Sequence, residues 1–79
     1  MSADILESVR EIVEPIVIAE GMELVHIEYR RERGGWVLRL YIDKEGGVTI
    51  DDCSNISRQT SHLMDIGEPI PHSYVLEVS

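Results

Sequence analysis

The sequence predicts an α+β fold, a two-layer α/β sandwich with the element order α-β-β-α-β, in which two helices lie on one face of a three-stranded sheet. Three observations indicate this fold class. Two segments carry apolar residues at helical spacing, three others carry them in alternation, and glycine or proline separates most of them. A length of 79 residues corresponds to one domain, close to the lower limit for a self-sufficient hydrophobic core.

The first helix is predicted over residues 3–20, where apolar side chains recur three and four residues apart. Ser2 or Asp4 can cap its start, and Gly21 suits the left-handed residue that ends it. Pro15 interrupts the pattern, because proline inside a helix removes one hydrogen bond and clashes with the preceding turn, at a cost of about 3 kcal/mol. We therefore expect a kink at Pro15, or a break with Pro15 opening a short second segment.

The next two segments are predicted to pair as an antiparallel hairpin. Alternation gives the first strand, residues 23–31, two faces, one with Val25, Ile27 and Tyr29 and the other with Leu24, His26 and Glu28. A polar loop over residues 30–35 leads into the second strand, which begins near Trp36. Alternation in that strand predicts three inward positions, Leu38, Leu40 and Ile42.

Turn and cap residues follow the second strand. The glycine pair at 46–47 tolerates positive φ, so the chain can turn back there. A second helix is predicted over residues 52–66, since Thr49 and Asp52 have the spacing of a capping box. Asp51 is a further N-cap candidate.

The second helix is expected to turn one side to the sheet. Its sheet-facing residues are predicted to be Cys53, Ile56, Thr60, Leu63 and Met64. Gly67 is the expected stop, and Pro69 and Pro71 prevent continuation. A last strand over residues 73–78 could lie beside either of the first two, because the handedness of crossovers limits the options without deciding between them.

The acidic composition bears on the kind of partner. Seven Lys and Arg against fifteen Asp and Glu give a net charge of −8. Phosphate backbones are bound mainly by Lys and Arg, so this charge works against nucleic-acid binding at long range and suits a basic partner. The alternative is that the charge serves solubility alone. The single cysteine excludes an internal disulfide and fits a reducing cytoplasm.

A row of carboxylates is predicted on the outer side of the first helix. Spacings of three and four residues place four acidic side chains on the face opposite the apolar stripe: Asp4, Glu7, Glu11 and Glu14. Arg10 is the basic residue nearby, and it lies off this row. The row is a candidate docking strip for a basic partner, and the alternative is a solvated helix face.

The hairpin collects four of the seven basic residues: Arg30, Arg31, Arg33 and Arg39. A local basic tip on an acidic body can touch phosphates, and Trp36 beside it can stack on a base. The candidate RNA contacts are therefore Arg30, Arg31, Arg33 and Trp36. The alternative is that the arginines are solvated and Trp36 packs at the start of its strand.

Few residues are candidates for catalysis or metal binding. Cys53 lies in the first turn of a helix, where the dipole can activate a thiol, but it also begins the apolar stripe and fits as a small core residue. His26, His62 and His72 lie on three different elements and lack the paired spacing of a zinc site. The acids at 51–52 are better explained as helix caps. We therefore predict no catalytic residue, no metal site and no cofactor.

Three segments carry a resemblance to a known family. They read VEPIVIAEGMELVHIEYRRE at residues 13–32, VLRLYIDKEGGVTIDDCSNISRQ at 37–59 and LMDIGEPIPHSYVLEVS at 63–79. Together they closely resemble the N-terminal domain of the bacterial ribosome maturation factor RimP, over roughly residues 10–79. That family usually has an acidic residue where His26 stands, so we expect a surface histidine there without a family role.

The resemblance implies a non-catalytic assembly factor for the bacterial small ribosomal subunit, acting in the cytoplasm. It implies association with free or immature subunits and a link to the incorporation of a small-subunit protein near the decoding region, so a basic ribosomal protein is the expected partner. The alternative is a stand-alone module that contacts ribosomal RNA through the basic hairpin. In the family a small C-terminal β-barrel domain follows, so residues 1–79 are expected to be the N-terminal domain without it. Neither a membrane nor a small-molecule substrate is expected.

Overall fold

The elements follow one another in the predicted order. The computed structural model of the chain describes residues 2–79. Its elements are α1 (Ser2–Ala19), β1 (Glu23–Glu32), β2 (Gly35–Asp43), α2 (Ile50–Gly67) and β3 (Val75–Val78). Both helices pack on one face of the sheet around a single cluster of buried apolar side chains. The predicted fold class is confirmed.

The sheet has the strand order β1-β2-β3, with β2 in the centre. β1 pairs antiparallel with β2 as predicted, and β3 lies parallel to β2, with Leu40 opposite Val78. The ladder extends to Ser79, whose N–H donates to Leu40 O at 2.9 Å and whose carbonyl accepts from Ile42 N at 2.8 Å. Because parallel neighbours need a long crossover, α2 supplies the connection. The last strand starts at Val75, two residues later than predicted.

The grouping of residues on the two faces of β1 differs from the predicted one at the start of the strand. Leu24 and Ile27 are buried although they are three residues apart, and Val25 is 58% exposed. Leu24 lies opposite Ile42, and His26 lies opposite the next residue of β2, so Val25 between them is left without a partner. This is the pattern of a β-bulge, which inverts the alternation at one point. The predicted faces are therefore wrong for Leu24 and Val25 and right from His26 onward.

The hairpin is tighter than predicted. β1 continues through Glu32 and β2 begins at Gly35, so the turn consists of residues 33–34. Gly35 has a φ of +125°, a conformation that glycine adopts without strain. Arg30 and Arg31, predicted where the first strand and the loop overlap, belong to β1, where successive side chains point to opposite faces.

α1 continues through Pro15, so of the two predicted outcomes, a kink or a break, the break does not occur. Val13 and Ile16, on either side of the proline, are both buried in the core, and such tertiary packing supplies most of a helix's stability in a protein. Pro15 has no N–H, and the carbonyl oxygen of Glu11 therefore lacks its usual helical donor. Gly21, with a φ of +78°, follows the helix in the predicted left-handed conformation.

The start of α1 lies one residue earlier than predicted. Ser2 is the first helical residue, and its side chain lies outside the described part of the structure, so its capping role stays a prediction. Asp4, the other predicted cap, lies inside the first turn, where its charge favours the positive end of the helix dipole. In residues 2–79 no helix is both long and apolar enough to cross a membrane.

α2 begins at Ile50, two residues earlier than predicted, with Thr49 as its N-cap. Thr49 Oγ1 accepts a hydrogen bond from Asp52 N at 3.0 Å, and Asp52 Oδ2 accepts one from Thr49 N at 2.9 Å. This is the capping box that the spacing predicts, while Asp51 is a helical residue rather than the cap. The ammonium of Lys44 lies 2.7 Å from Asp52 Oδ2, and this bond is the main reason that the pKa of Asp52 is lowered to about 2.

The C-terminal end of α2 packs closely on α1. Gly67, the predicted stop, is the last helical residue, and Glu68 adopts the left-handed conformation instead, with a φ of 46°. A Cβ on Gly67 would lie 3.2 Å from Ile12 Cδ1, so the close approach of the helices favours glycine there.

The prediction that Leu63 faces the sheet is wrong, because it lies at the edge of the buried side of α2 and is 39% exposed.

Candidate interaction surfaces

The four carboxylates predicted as a row lie together on the outer side of α1. Asp4, Glu7 and Glu11 are exposed, and Glu14 is partly buried. Arg10 reaches the row from its edge, with Nη1 3.7 Å from Glu14 Oε2. One guanidinium against four carboxylates leaves this strip negative. It is called the acidic face of α1 below.

An apolar groove runs through the C-terminal part of the acidic face. It has a volume of about 410 Å³ and is lined by Glu7, Arg10, Glu11, Glu14, Pro15 and Ile18. Ile18 is 62% exposed, and the ring of Pro15 adds a second apolar wall. The sequence reasoning missed Ile18, although its spacing of four residues from Glu14 places it on this face.

Arg39 is surrounded by carboxylates on the sheet face that the helices do not cover. Its Nε donates to Glu77 Oε1 at 2.8 Å, and its Nη1 donates to Glu28 at 3.2 Å and to Glu32 at 3.4 Å. These bonds, chiefly the one to Glu77, raise the pKa of Arg39. The hydroxyl of Tyr41 donates to Glu28 at 2.9 Å and is the main cause of that carboxyl's lowered pKa. In this Arg39 cluster the charge predicted as part of a basic tip is compensated.

The three arginines predicted to contact RNA are separated by the strand geometry. Arg30 shares a sheet face with Glu28, its Nη1 lying 3.7 Å from Glu28 Oε2. Arg31 lies on the other face, across from Trp36, and Arg33 lies in the turn; both are exposed. Within residues 2–79 neither Arg31 nor Arg33 forms an ion pair. The structure therefore brings Arg31 and Trp36 together and directs Arg30 elsewhere.

Trp36 belongs to a stack of three rings, with Tyr29 and His72. The Trp36 ring lies 4.7 Å from Tyr29 at an interplanar angle of 18°, and 5.0 Å from His72. His72 Nδ1 lies 3.0 Å from the carbonyl oxygen of Ser73, and its Nε2 lies 2.5 Å from Tyr29 Oη. In a neutral ring Nδ1 then donates to Ser73 and Nε2 accepts from the tyrosine hydroxyl. The sequence reasoning missed Tyr29 and His72, because 43 residues separate them.

The other candidates for chemistry lie apart from one another. Cys53 is partly buried and packs against the core cluster. His26 is exposed and stacks on Tyr41 at 5.8 Å, and His62 is an exposed residue of α2. Among the described residues no three His, Cys, Asp or Glu side chains are grouped so that they could hold a metal ion.

The fold defines a class, namely small α+β domains in which two helices lie on one face of a three-stranded sheet. The family model of the RimP N-terminal domain matches residues 12–79 of this chain. The chain therefore belongs to the RimP N-terminal domain family, and its role is that of a ribosome maturation factor. The match begins in the second half of α1, so Asp4, Glu7 and Glu11 precede the matched range.

Proposed function

We propose that this domain acts in maturation of the small ribosomal subunit, as a non-catalytic factor that associates with free or immature subunits and binds a basic small-subunit ribosomal protein. The observation that carries the proposal is the acidic face of α1 with the apolar groove in it. Family membership supports the ribosomal setting. Charge and groove support the choice of a basic protein as the partner.

Electrostatic complementarity supports the first step of binding. The chain carries a net charge of −8, and ribosomal proteins are commonly basic, so the two attract each other before contact. At physiological ionic strength this attraction is screened over about 8 Å. Binding is therefore expected to weaken as salt is added, mainly through slower association.

The groove supplies the short-range part of the contact. Ile18 and Pro15 offer an apolar patch bordered by Glu11 and Glu14. Covering a side chain such as Ile18 contributes on the order of 1 kcal/mol, and a buried apolar anchor within a charged rim is the usual arrangement of a binding hot spot. The partner that fits is a basic segment with one apolar side chain between its Lys or Arg residues.

Two further parts of the proposal rest on family membership. Ribosome maturation supports a cytoplasmic location. We also propose that in the whole factor a C-terminal β-barrel domain shares the recognition of the subunit. Subunit binding by this chain can be compared with binding by a longer chain that includes such a domain. The difference in affinity gives the contribution of the second domain.

Co-sedimentation tests the proposal. The chain is centrifuged with immature small subunits, and with mature small subunits, large subunits and naked ribosomal RNA as controls, at two salt concentrations. Selective retention by immature small subunits, reduced at the higher salt, is the expected result. Equal retention by all four, or retention that is indifferent to salt, contradicts the proposal.

A pair of variants tests the groove itself. Ile18→Ser removes the exposed anchor of the groove, and Ile50→Ser removes an isoleucine that is 84% exposed at the start of α2. Only Ile18→Ser is expected to reduce retention, by roughly fivefold. An equal effect of both substitutions would show that general surface hydrophobicity, and not the groove, holds the partner.

A further inference from the structure

A second cleft lies at the hairpin end of the sheet, between the hairpin turn and the segment that leads into β3. It has a volume of about 220 Å³, and its lining includes Arg31, Gly34, Gly35, Trp36, Ser73 and Val75. The ring of Trp36 and the side chain of Val75, which is 55% exposed, give it apolar walls. A Cβ placed on Gly34 or Gly35 would meet nothing within 4 Å, so an incoming group has room along the turn.

The ring of Trp36, which forms the aromatic wall of this cleft, is held in position by two neighbouring rings. Tyr29 and His72 stack against Trp36, and His72 is in turn hydrogen-bonded to Tyr29 and to the carbonyl of Ser73. A ring held by such contacts has little conformational freedom left to lose when a ligand stacks on it. Rigid aromatic surfaces of this kind bind flat rings at low entropic cost.

Charge selects the class of ligand. Arg31 lines the cleft and is exposed, and it forms no ion pair with another described residue. A guanidinium beside an aromatic surface favours a ligand that has a flat ring and an anionic group, and repels the Lys and Arg of a basic protein. A nucleotide in a single strand has both features.

We propose that the cleft binds an unpaired nucleobase of RNA, which stacks on Trp36 while Arg31 binds a neighbouring phosphate. Ser73 also lines the cleft, and its hydroxyl can form a hydrogen bond with the polar edge of the base. This site shares no residue with the acidic face of α1. The domain then has two surfaces with opposite charge preference, one for basic protein and one for RNA. The net charge of −8 keeps the affinity for RNA low, so binding depends on this local contact.

Tryptophan fluorescence tests the proposal directly, because Trp36 is the single tryptophan of the chain. The chain is titrated at low salt with a short single-stranded oligoadenylate, and separately with the same RNA in a duplex and with inorganic phosphate. Saturable quenching by the single strand is expected, with weaker quenching by the duplex and little by phosphate. Stacking requires an exposed base, which the duplex and the phosphate do not offer.

Two neighbouring arginines provide matched variants. Arg31→Gln and Arg30→Gln remove the same charge one residue apart, from opposite faces of β1. The proposal predicts that Kd rises roughly fivefold for Arg31→Gln and less than about twofold for Arg30→Gln. Trp36→Leu, measured by the anisotropy of a labelled oligonucleotide, is expected to weaken binding roughly tenfold or more.

Three results overturn the nucleobase site. They are no quenching by the single strand, equal losses for Arg30→Gln and Arg31→Gln, and quenching by phosphate that matches that by RNA. A Trp36 signal with a ribosomal peptide but none with RNA overturns it too and assigns the cleft to a protein ligand. None of these results affects the co-sedimentation test, since the variants there lie on α1 and α2.

Discussion

The guanidinium of Arg39 in β2 donates to the carboxylate of Glu77 in β3 at 2.8 Å, across the sheet face that the helices leave uncovered. β3 has four residues and lies at the edge of the sheet, so the main-chain ladder that holds it is short. The same guanidinium reaches Glu28 and Glu32 of β1. One side chain therefore links all three strands.

Removing this cation is expected to destabilise the fold. Arg39→Leu leaves three carboxylates close together without their shared donor, and carboxylates that lose a charged partner are costly to keep together. The melting temperature, followed by circular dichroism, should fall further than for Arg30→Leu. Arg30 is a suitable control, because its side chain is 65% exposed and pairs with Glu28 alone at 3.7 Å among the described residues. Equal decreases would mean that net charge, and not the Arg39 cluster, is responsible.

Acid is expected to weaken the start of α2. The bonds from Lys44 and from the backbone of Thr49 hold the pKa of Asp52 at about 2, below its ordinary value of 3.8. A carboxylate whose pKa is lowered by folding stabilises the fold above its ordinary pKa, and this contribution is lost as the pH falls from about 4 to about 2. Glu28, whose pKa is also lowered, acts in the same direction.

The measurement is thermal unfolding between neutral pH and about pH 2. Asp52→Asn should lower the melting temperature near neutrality and flatten its decline in acid, because the variant has no carboxylate to protonate there. Asp51→Asn, in the same turn but outside the capping box, should keep the decline of the original chain. An Asp52→Asn curve that runs parallel to the original one would contradict the role of this carboxylate.

The β-bulge predicts opposite sensitivities at two neighbouring residues. Leu24→Ala empties a position that is 8% exposed and should cost about 2–5 kcal/mol. Val25→Ala changes a side chain that is 58% exposed and should cost less than about 1 kcal/mol. Urea unfolding measures both free energies. A larger loss for Val25→Ala than for Leu24→Ala would mean that β1 alternates regularly, without a bulge.

A buried hydroxyl predicts a stabilising substitution. Thr60 in α2 is fully buried, and its Oγ1 makes no hydrogen bond with a described residue. Thr60→Val replaces the hydroxyl by a methyl group of similar size and should raise the free energy of unfolding by about 1 kcal/mol. Thr60→Ala is the control, since it also removes the hydroxyl but leaves a cavity. A fall in stability for the valine variant in urea unfolding would show that the hydroxyl has a partner.

The sequence pattern predicted those features of the fold that depend on a single helix or strand. The spacing of Leu38 and Leu40 gave the buried side of β2, and Gly21 marked the end of α1. Val25 could not be predicted, because a bulge depends on how β1 pairs with β2 and leaves no signature in the alternation of one strand. Likewise the preference for glycine at position 67 could not be predicted, because it comes from Ile12 of another helix, which lies against it.

The same distinction separates the candidate surfaces. The acidic face of α1 requires only helical spacing, so Glu7 and Glu11 could be placed together from the sequence. The Arg39 cluster and the Trp36 cleft require Glu77 and Val75, which arrive with β3. The sequence does not determine which strand β3 pairs with, so neither arrangement could be predicted.

The acidic face of α1 and the basic hairpin are expected to contribute unequally to binding. Neutralising the acidic face, by Asp4→Asn with Glu7→Gln, Glu11→Gln and Glu14→Gln, should weaken binding to immature small subunits roughly tenfold at low salt. Neutralising the hairpin, by Arg30→Gln with Arg31→Gln and Arg33→Gln, should weaken it less. The reason is that the acidic face attracts the basic partner directly, whereas the hairpin arginines contribute only through the weaker contact with RNA.

A third variant separates local contact from overall charge. Four exposed acids away from the acidic face can be neutralised together, namely Glu45, Asp51, Asp65 and Glu68, which changes the net charge by as much as the first set does. If binding depends on the acidic face, this control retains most of the affinity at physiological salt, where screening acts over about 8 Å. An equal loss would mean that net charge alone attracts the partner. A larger loss for the hairpin set than for the acidic face would instead make RNA the main contact of the domain, because arginines that bind phosphate account for most of an RNA-binding affinity.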